Sequence, residues 1–243
     1  MVRYEFSGKT ALVTGGGSGI GRGVARALEA AGCRVIVASL PGGEPFASSA
    51  QPHAGEIRAF DCDVTSETDL DQLFGNIDGL DILIQCAGTI SRAEEFRPEV
   101  FARNVEVNLT SAMRVAVRAR PLLARQGGCI VHTASMLSFF GSGNAPAYSA
   151  AKGGIVQLTK SLAIAWASEG IRVNAVAPGW IATGFTQALQ ADLERSRQIL
   201  DRTPMRRWGT AEDIVGPILF LCSPAAAFIT GATLVVDGGY SAY

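Results

Sequence analysis

Apolar residues in this chain gather into short runs, and the segments between them repeat at helical spacing. The runs are Thr10–Val13, Arg34–Ala38, Ile57–Phe60, Leu80–Ile84, Cys129–Thr133, Arg172–Val176 and Thr233–Val236. Each is four or five residues long, which suits a buried strand better than a helix. Between them, Ile20, Val24, Ala27, Leu28 and Ala31, and again Ile155, Leu158, Leu162 and Trp166, recur every three or four residues, as one face of a helix requires. Near-continuous apolar strands alternating with helices indicate a parallel sheet covered on both faces. The pattern predicts an α/β fold: one doubly wound domain over residues 1–243, with a seven-stranded parallel sheet flanked by helices. Loops are expected at Leu40–Gly55 and Gly179–Met205, the second carrying a small helical insertion at about 180–208. The uncharged stretch Ile214–Val236 is broken by Pro217, Pro224 and Gly231, so it reads as a helix, a turn and a strand and not as a membrane span.

Charge and composition remove several function classes. The 21 Lys and Arg nearly balance the 22 Asp and Glu, leaving a formal net charge of −1. Nucleic acid and anionic membranes favour basic surfaces, so neither is expected as a partner. Five cysteines without a CxxC pair indicate neither a disulfide framework nor a zinc ribbon; buried, reduced thiols in a cytoplasmic protein are expected. The only histidines are His53 and His132, too few for a histidine-rich metal site, and no metal is expected. Glycine moves the other way: average usage of about 7% would give roughly 17, and the chain has 28.

Six of those glycines lie between positions 15 and 23, where Thr14-Gly15-Gly16-Gly17-Ser18-Gly19-Ile20-Gly21 follows the first strand and opens a helical pattern. Such a turn lets the backbone approach a pyrophosphate at the positive end of the helix. A P-loop is excluded because Arg22 and Gly23 stand where Lys and Ser or Thr are needed. The spacing GxGxxG fails as well, since position 20 is Ile, and TGxxxGxG remains. Dinucleotide binding is the expectation, with Gly15, Gly17, Ser18, Gly19, Ile20 and Gly21 at the cofactor.

The second chemical signal is Tyr148-Ser-Ala-Ala-Lys152, at the start of the helix after the fifth strand. Residues four apart share a helix face, so a lysine ammonium can lower the tyrosine pKa from its ordinary value of about 10 and make the phenol a usable acid or base. With four tyrosines and three lysines, only about 0.05 such pairs are expected by chance, so the match carries information.

On the TGxxxGxG turn and the Tyr148/Lys152 pair, the sequence resembles the short-chain dehydrogenase/reductase family, and the resemblance extends over essentially the whole chain. It implies a Rossmann-type fold, a nicotinamide cofactor, and hydride transfer between a secondary alcohol and a ketone. It also implies a catalytic set of Asn108, Ser135, Tyr148 and Lys152: Ser135 holding the substrate oxygen, Tyr148 exchanging its proton, Lys152 also reaching the nicotinamide ribose, and Asn108 anchoring a relay water. Asp63 and Val64 are implied at the adenine. Pro178, Gly179, Ile181 and Thr183 match the segment beside the nicotinamide. The family's NNAG appears as Gln85-Cys86-Ala87-Gly88, where Ala87 and Gly88 still allow close approach.

At the end of the second strand, Ser39 stands where an acid would mark NAD and a base NADP. With no cation evident there, NAD is expected, with NADP open. The segments His132–Gly141 and Ile199–Ile218 are similar to the 2-deoxy-D-gluconate 3-dehydrogenase group, which implies a sugar acid or keto-deoxy sugar acid as substrate. Arg92 is a candidate for the substrate carboxylate. A 3-oxoacyl-thioester reductase shares the motifs and is the alternative enzyme; a catalytically silent nucleotide sensor is the alternative outside catalysis. The family resemblance further implies a homo-oligomer, tetramer or dimer.

Overall fold

The computed structural model describes residues 4–42, 46 and 55–242, so His53 and most of the expected Leu40–Gly55 loop lie outside the described residues. Seven parallel strands run in the order β3-β2-β1-β4-β5-β6-β7. They are β1 Thr10–Thr14, β2 Arg34–Ser39, β3 Ile57–Asp61, β4 Ile82–Gln85, β5 Cys129–Thr133, β6 Arg172–Pro178 and β7 Thr233–Val236. The order reverses between β1 and β4, and the carboxyl ends of those strands form the crevice in which open α/β sheets bind ligands.

Alternation along each strand feeds two apolar cores. Ala11 and Val13 of β1, with Val35 and Val37 of β2, pack on one face against Val24, Ala25 and Leu28 of α1 (Gly19–Ala30) and Ile214, Ile218 and Leu221 of α8 (Ala211–Cys222). Leu12, Ile36, Leu83 and Ile130 face the other way. They meet Leu70 and Leu73 of α2 (Glu67–Phe74), Val115 and Leu123 of α4 (Ser111–Leu123), and Leu162 and Trp166 of α5 (Pro146–Trp166). Each Val, Leu or Ile among them contributes about 1.5–3 kcal/mol on burial, so these faces fix the strand ends from which the site is built.

The expectation of strands covered on both faces holds for the interior of the sheet and not for its edges. Arg58, Ala59 and Asp61 of β3 are exposed, as are Leu234 and Val235 of β7, because an edge strand has a neighbour on one side only. The fourth strand also begins later than its apolar run: Asp81 stays outside the ladder, where its carboxylate takes the Lys9 ammonium at 2.8 Å and the Thr10 N–H at 2.9 Å.

Between β4 and α4 lie a 3₁₀ turn at Arg92–Phe96, α3 at Pro98–Val105, and a π-turn at Glu106–Thr110. The insertion after β6 holds a 3₁₀ turn at Gly184–Thr186, α6 at Gln187–Ala191 and α7 at Leu193–Arg202. Its base is closed by backbone pairing: Gly209 N–H donates to Trp180 O at 2.9 Å and Ala182 N–H to Gly209 O at 2.8 Å. Trp180 and Trp208 meet edge to face across that base, 6.0 Å apart. Arg207 pairs with Asp213 at 2.6 Å and holds that carboxyl well below the usual carboxylate range.

Candidate active site

The first wall of the site is the β1–α1 turn. Gly15 has φ +67°, a left-handed conformation that a side chain would strain. A Cβ there would lie 2.5 Å from Ala87 N, and one on Gly21 would lie 2.3 Å from Gly15 O. These glycines allow the turn, the start of α1 and the β4 end to pack backbone against backbone. A Cβ on Gly17 would fall 2.7 Å from Ser39 Oγ, so the second-strand end closes on the same turn. Ser18 starts α1 without a side-chain cap.

These surfaces open on a cavity of about 950 Å³ at the carboxyl edge of the sheet. Gly15, Gly17, Ser18, Gly19, Ile20, Gly21, Ser39, Asp63, Val64, Ala87, Gly88, Ser135, Tyr148, Lys152, Pro178, Gly179, Ile181 and Thr183 all line it. The space suits a dinucleotide: it is large, and its lining combines bare glycine backbone with ionisable side chains. Within it, Asp63 is partly engaged by the protein. Burial pushes its carboxyl up, but hydrogen bonds from Thr65 and the Arg103 guanidinium outweigh this and hold it below its ordinary value.

Ser135 follows β5 and caps the short turn Met136–Ser138 by accepting from Leu137 N–H at 3.2 Å. Tyr148 and Lys152 lie on the first turns of α5, with the ammonium 5.5 Å from the phenol ring centroid. Lys152 is buried and donates to Thr133 O at 2.7 Å. Burial pushes its pKa down to about 8, with the Cys86 thiol opposing.

The tyrosine departs from its expected titration. Burial pushes the Tyr148 phenol up to about 12, hydrogen bonding to Ser135 and the Arg92 charge pull it down, and the Glu95 charge adds to the rise. Loss of water around the phenolate thus exceeds the stabilisation foreseen from Lys152. At neutral pH the free protein holds this group as a protonated acid.

Asn108 is the one expected site residue that does not line the cavity. It is buried in the π-turn behind Gly88, where both the oxygen and the nitrogen of its carboxamide are hydrogen-bonded. Oδ1 accepts from Thr89 N–H at 3.2 Å, and Nδ2 donates to Thr89 O at 2.8 Å and Asn104 O at 2.9 Å. A Cβ on Gly88 would sit 2.8 Å from that Oδ1. The first asparagine of the family's NNAG is replaced by Gln85, whose Nε2 donates to Ala112 O at 3.0 Å, while Cys86 Sγ accepts from Thr133 Oγ1 at 3.3 Å.

Two neighbours of Tyr148 escaped the sequence reading. Phe185, on the insertion, places its ring 6.1 Å from the phenol ring, and Glu95 is a buried carboxylate that accepts from Tyr148 N–H at 2.9 Å. Arg92 lines the cavity with φ +42° and forms no ion pair with Glu94 or Glu95 among the described residues.

A nicotinamide-dependent oxidoreductase is the class that a parallel seven-stranded sheet with this glycine turn and this cavity defines. Residues 15–241 match the family described as Enoyl-(Acyl carrier protein) reductase, and the chain belongs to the short-chain dehydrogenase/reductase family. It is an NAD(P)-dependent oxidoreductase.

Similar proteins narrow the neighbourhood. The chain is 39% identical over 250 residues to the 2-dehydro-3-deoxy-D-gluconate 5-dehydrogenase of Pseudoalteromonas atlantica, a match covering 99% of this chain and 98% of that one. It is 41% identical over 245 residues to the enzyme of the same name from Bacillus subtilis, covering 98% and 96%. Among solved structures, a protein of Agrobacterium tumefaciens provisionally named 2-deoxy-D-gluconate 3-dehydrogenase, with bound NADP, superimposes with a TM-score of 0.88 at 36% identity over 100% of both chains. A provisionally named NAD(P)-dependent gluconate 5-dehydrogenase of Beutenbergia cavernae, with NADP at low occupancy, gives 0.89 at 37% identity, again over 100% of both. Among the described residues no helix is long and apolar enough to cross a membrane.

Proposed function

We propose that this protein oxidises or reduces a secondary hydroxyl or ketone on a sugar acid or keto-deoxy sugar acid. The observation that carries the reading is that Ser135, Tyr148, Lys152 and Arg92 converge on the cavity that the bare glycine backbone also lines. The names of the similar enzymes support the substrate class. The glycine turn, Ser39, Asp63 and Val64 would hold the adenosine and pyrophosphate, and Ala87, Gly88, Pro178, Gly179, Ile181 and Thr183 the nicotinamide half. When bound, the nicotinamide supplies the two-electron hydride chemistry at the substrate carbon.

The chain's own residues manage the oxygen. Ser135 orients it by hydrogen bonding, and Tyr148 exchanges its proton. A phenol held protonated by burial is already in the form that donates to a carbonyl during reduction; alcohol oxidation needs the phenolate, which the nearby Lys152 ammonium favours. Asn108 acts from behind the wall by fixing the Gly88–Thr89 turn beside Lys152, so its proposed part is positioning.

Ser39 presents no carboxylate to repel a 2′-phosphate, so NADP is accepted alongside the expected NAD, in keeping with the NADP in the similar structures. The whole chain acts as one catalytic domain, with the 180–208 insertion covering the substrate end. Free thiols at Cys33, Cys62, Cys86, Cys129 and Cys222 support a reducing, cytoplasmic setting. Exposed Ile164, Phe228 and Val235 support a homo-oligomer, dimer or tetramer.

Turnover of a panel of sugar acids, polyols and oxoacyl thioesters with both nicotinamide cofactors tests the reading. Sugar acids are expected to give the highest kcat/KM, and Arg92→Ala to raise their KM about tenfold or more by removing a charge-assisted contact to the carboxylate. A preference for oxoacyl thioesters, or an unchanged KM in the variant, contradicts it.

A further inference from the structure

Helix α5 begins without a cap of its own. Its N-cap residue is Ala145, which has no side-chain acceptor, yet the third helical position is Tyr148, whose N–H is the donor that an N-cap side chain ordinarily satisfies. That N–H is satisfied from 53 residues away: Glu95 Oε2 accepts it at 2.9 Å. The other oxygen of the same carboxylate, Oε1, accepts Ser91 N–H at 3.0 Å. Glu95 is 1% exposed, and no cation pairs with it among the described residues. A carboxylate buried without a counter-ion must be held by such donors, and the start of a helix is where a negative charge is favoured.

The two hydrogen bonds join two walls of the cavity. One is the helical turn carrying the Tyr148 phenol; the other is the Ser91–Phe96 turn, in which Arg92 adopts φ +42°. Ser91 is held a second time, through its Oγ by Asn104 Nδ2 at 3.2 Å, and Asn104 O in turn accepts from Asn108 Nδ2. We propose that Glu95 is a positioning residue: it caps the Tyr148 helix from the substrate loop and so fixes the phenol relative to Arg92 and the substrate oxygen.

The proposal rests on the dehydrogenase reading but does not need it for every test. In amide hydrogen exchange, Glu95→Ala should speed exchange in both segments 89–97 and 146–152, with the rest of the chain unchanged. In kinetics with any substrate the wild type turns over, Glu95→Ala should lower kcat by about tenfold to a hundredfold, the scale of a misplaced reacting group. Cofactor affinity, read by quenching of protein fluorescence, should stay within about twofold. Glu95→Gln keeps one acceptor oxygen and removes the charge, so it should recover part of kcat.

A second signature separates positioning from mere stability. The charged groups facing the phenol are Arg92 and Glu95 from the loop and Lys152 from its own helix, with the neutral Ser135 and Phe185 completing the shell. Removing the Glu95 charge should therefore move the pH at which alcohol oxidation rises to lower values in Glu95→Gln. Unchanged exchange at 146–152 overturns the proposal. So does a loss of activity that tracks thermal stability, with an unmoved pH profile and an equal loss of cofactor affinity. Absence of any wild-type turnover would count against the dehydrogenase reading, and the exchange measurement would still decide the role of Glu95.

Discussion

His132 shows how a single buried residue can tune this fold without touching substrate. The ring is fully buried on β5, with Nδ1 2.8 Å from Thr159 Oγ1, whose own proton goes to Ile155 O. The histidine must then donate from Nδ1, leaving Nε2 as a buried acceptor without a partner among the described residues. Burial and the Lys152 charge push its pKa down to about 3 from 6.5. The unfolded chain takes up a proton near pH 6.5 that the folded chain refuses, so stability falls as acid is added, by about 1.4 kcal/mol per pH unit below that value. Denaturant titrations between pH 7 and 5 should show this slope in the wild type and a shallower one in His132→Asn. Equal slopes would contradict the assignment. The same comparison of burial with charge explains Tyr148: its identity and its spacing from Lys152 are local and legible, whereas the burial and the Glu95 charge that push its pKa up come from segments the fold brings against it.

At the scale of elements, the β1–α1 turn was the most legible part of the site. Its glycines are needed for two separate physical reasons, a left-handed φ at Gly15 and backbone contact at Gly21, and both act within a few residues. Gly21→Ala drives a Cβ into the Gly15 carbonyl, so the variant should lose about 1–3 kcal/mol of stability, as overpacked sites do. Its cofactor affinity should fall by about tenfold or more, both read in one set of urea and fluorescence titrations. Near-normal affinity would mean that the turn does not carry the pyrophosphate.

The seven parallel strands and the helix after β5 followed from periodicity and punctuation, whereas the order of the strands across the sheet did not. Nor did the remote cap on α5, because Glu95 approaches Tyr148 only through the fold, from 53 residues away. Asn108 was legible as a residue of interest, but the use of its carboxamide within the wall depends on a π-turn that no apolar pattern announces.

At the scale of the molecule, the sheet delivers the ends of six strands, β1 to β6, to one cavity, and the two edges remain partly bare. Ile164 is 82% exposed and Phe228 fully exposed, and Leu234 and Val235 lie on the β7 edge. Exposed apolar residues of this kind are what the proposed homo-oligomer would cover. Sedimentation at micromolar concentration should give a dimer or tetramer, and Phe228→Glu should lower the association. A strictly monomeric wild type would leave that surface without its proposed role.

The central claim, that Tyr148 moves the proton in a nicotinamide-dependent reaction at this cavity, is tested most directly by Tyr148→Phe. The variant keeps the ring against Phe185 and loses only the hydroxyl. In pre-steady-state absorbance of the reduced cofactor, with the best sugar-acid substrate, hydride transfer should slow by about 10²–10⁴-fold, the range for loss of a general acid or base. Cofactor affinity should stay within about twofold. Hydride transfer at the wild-type rate in Tyr148→Phe would contradict the account.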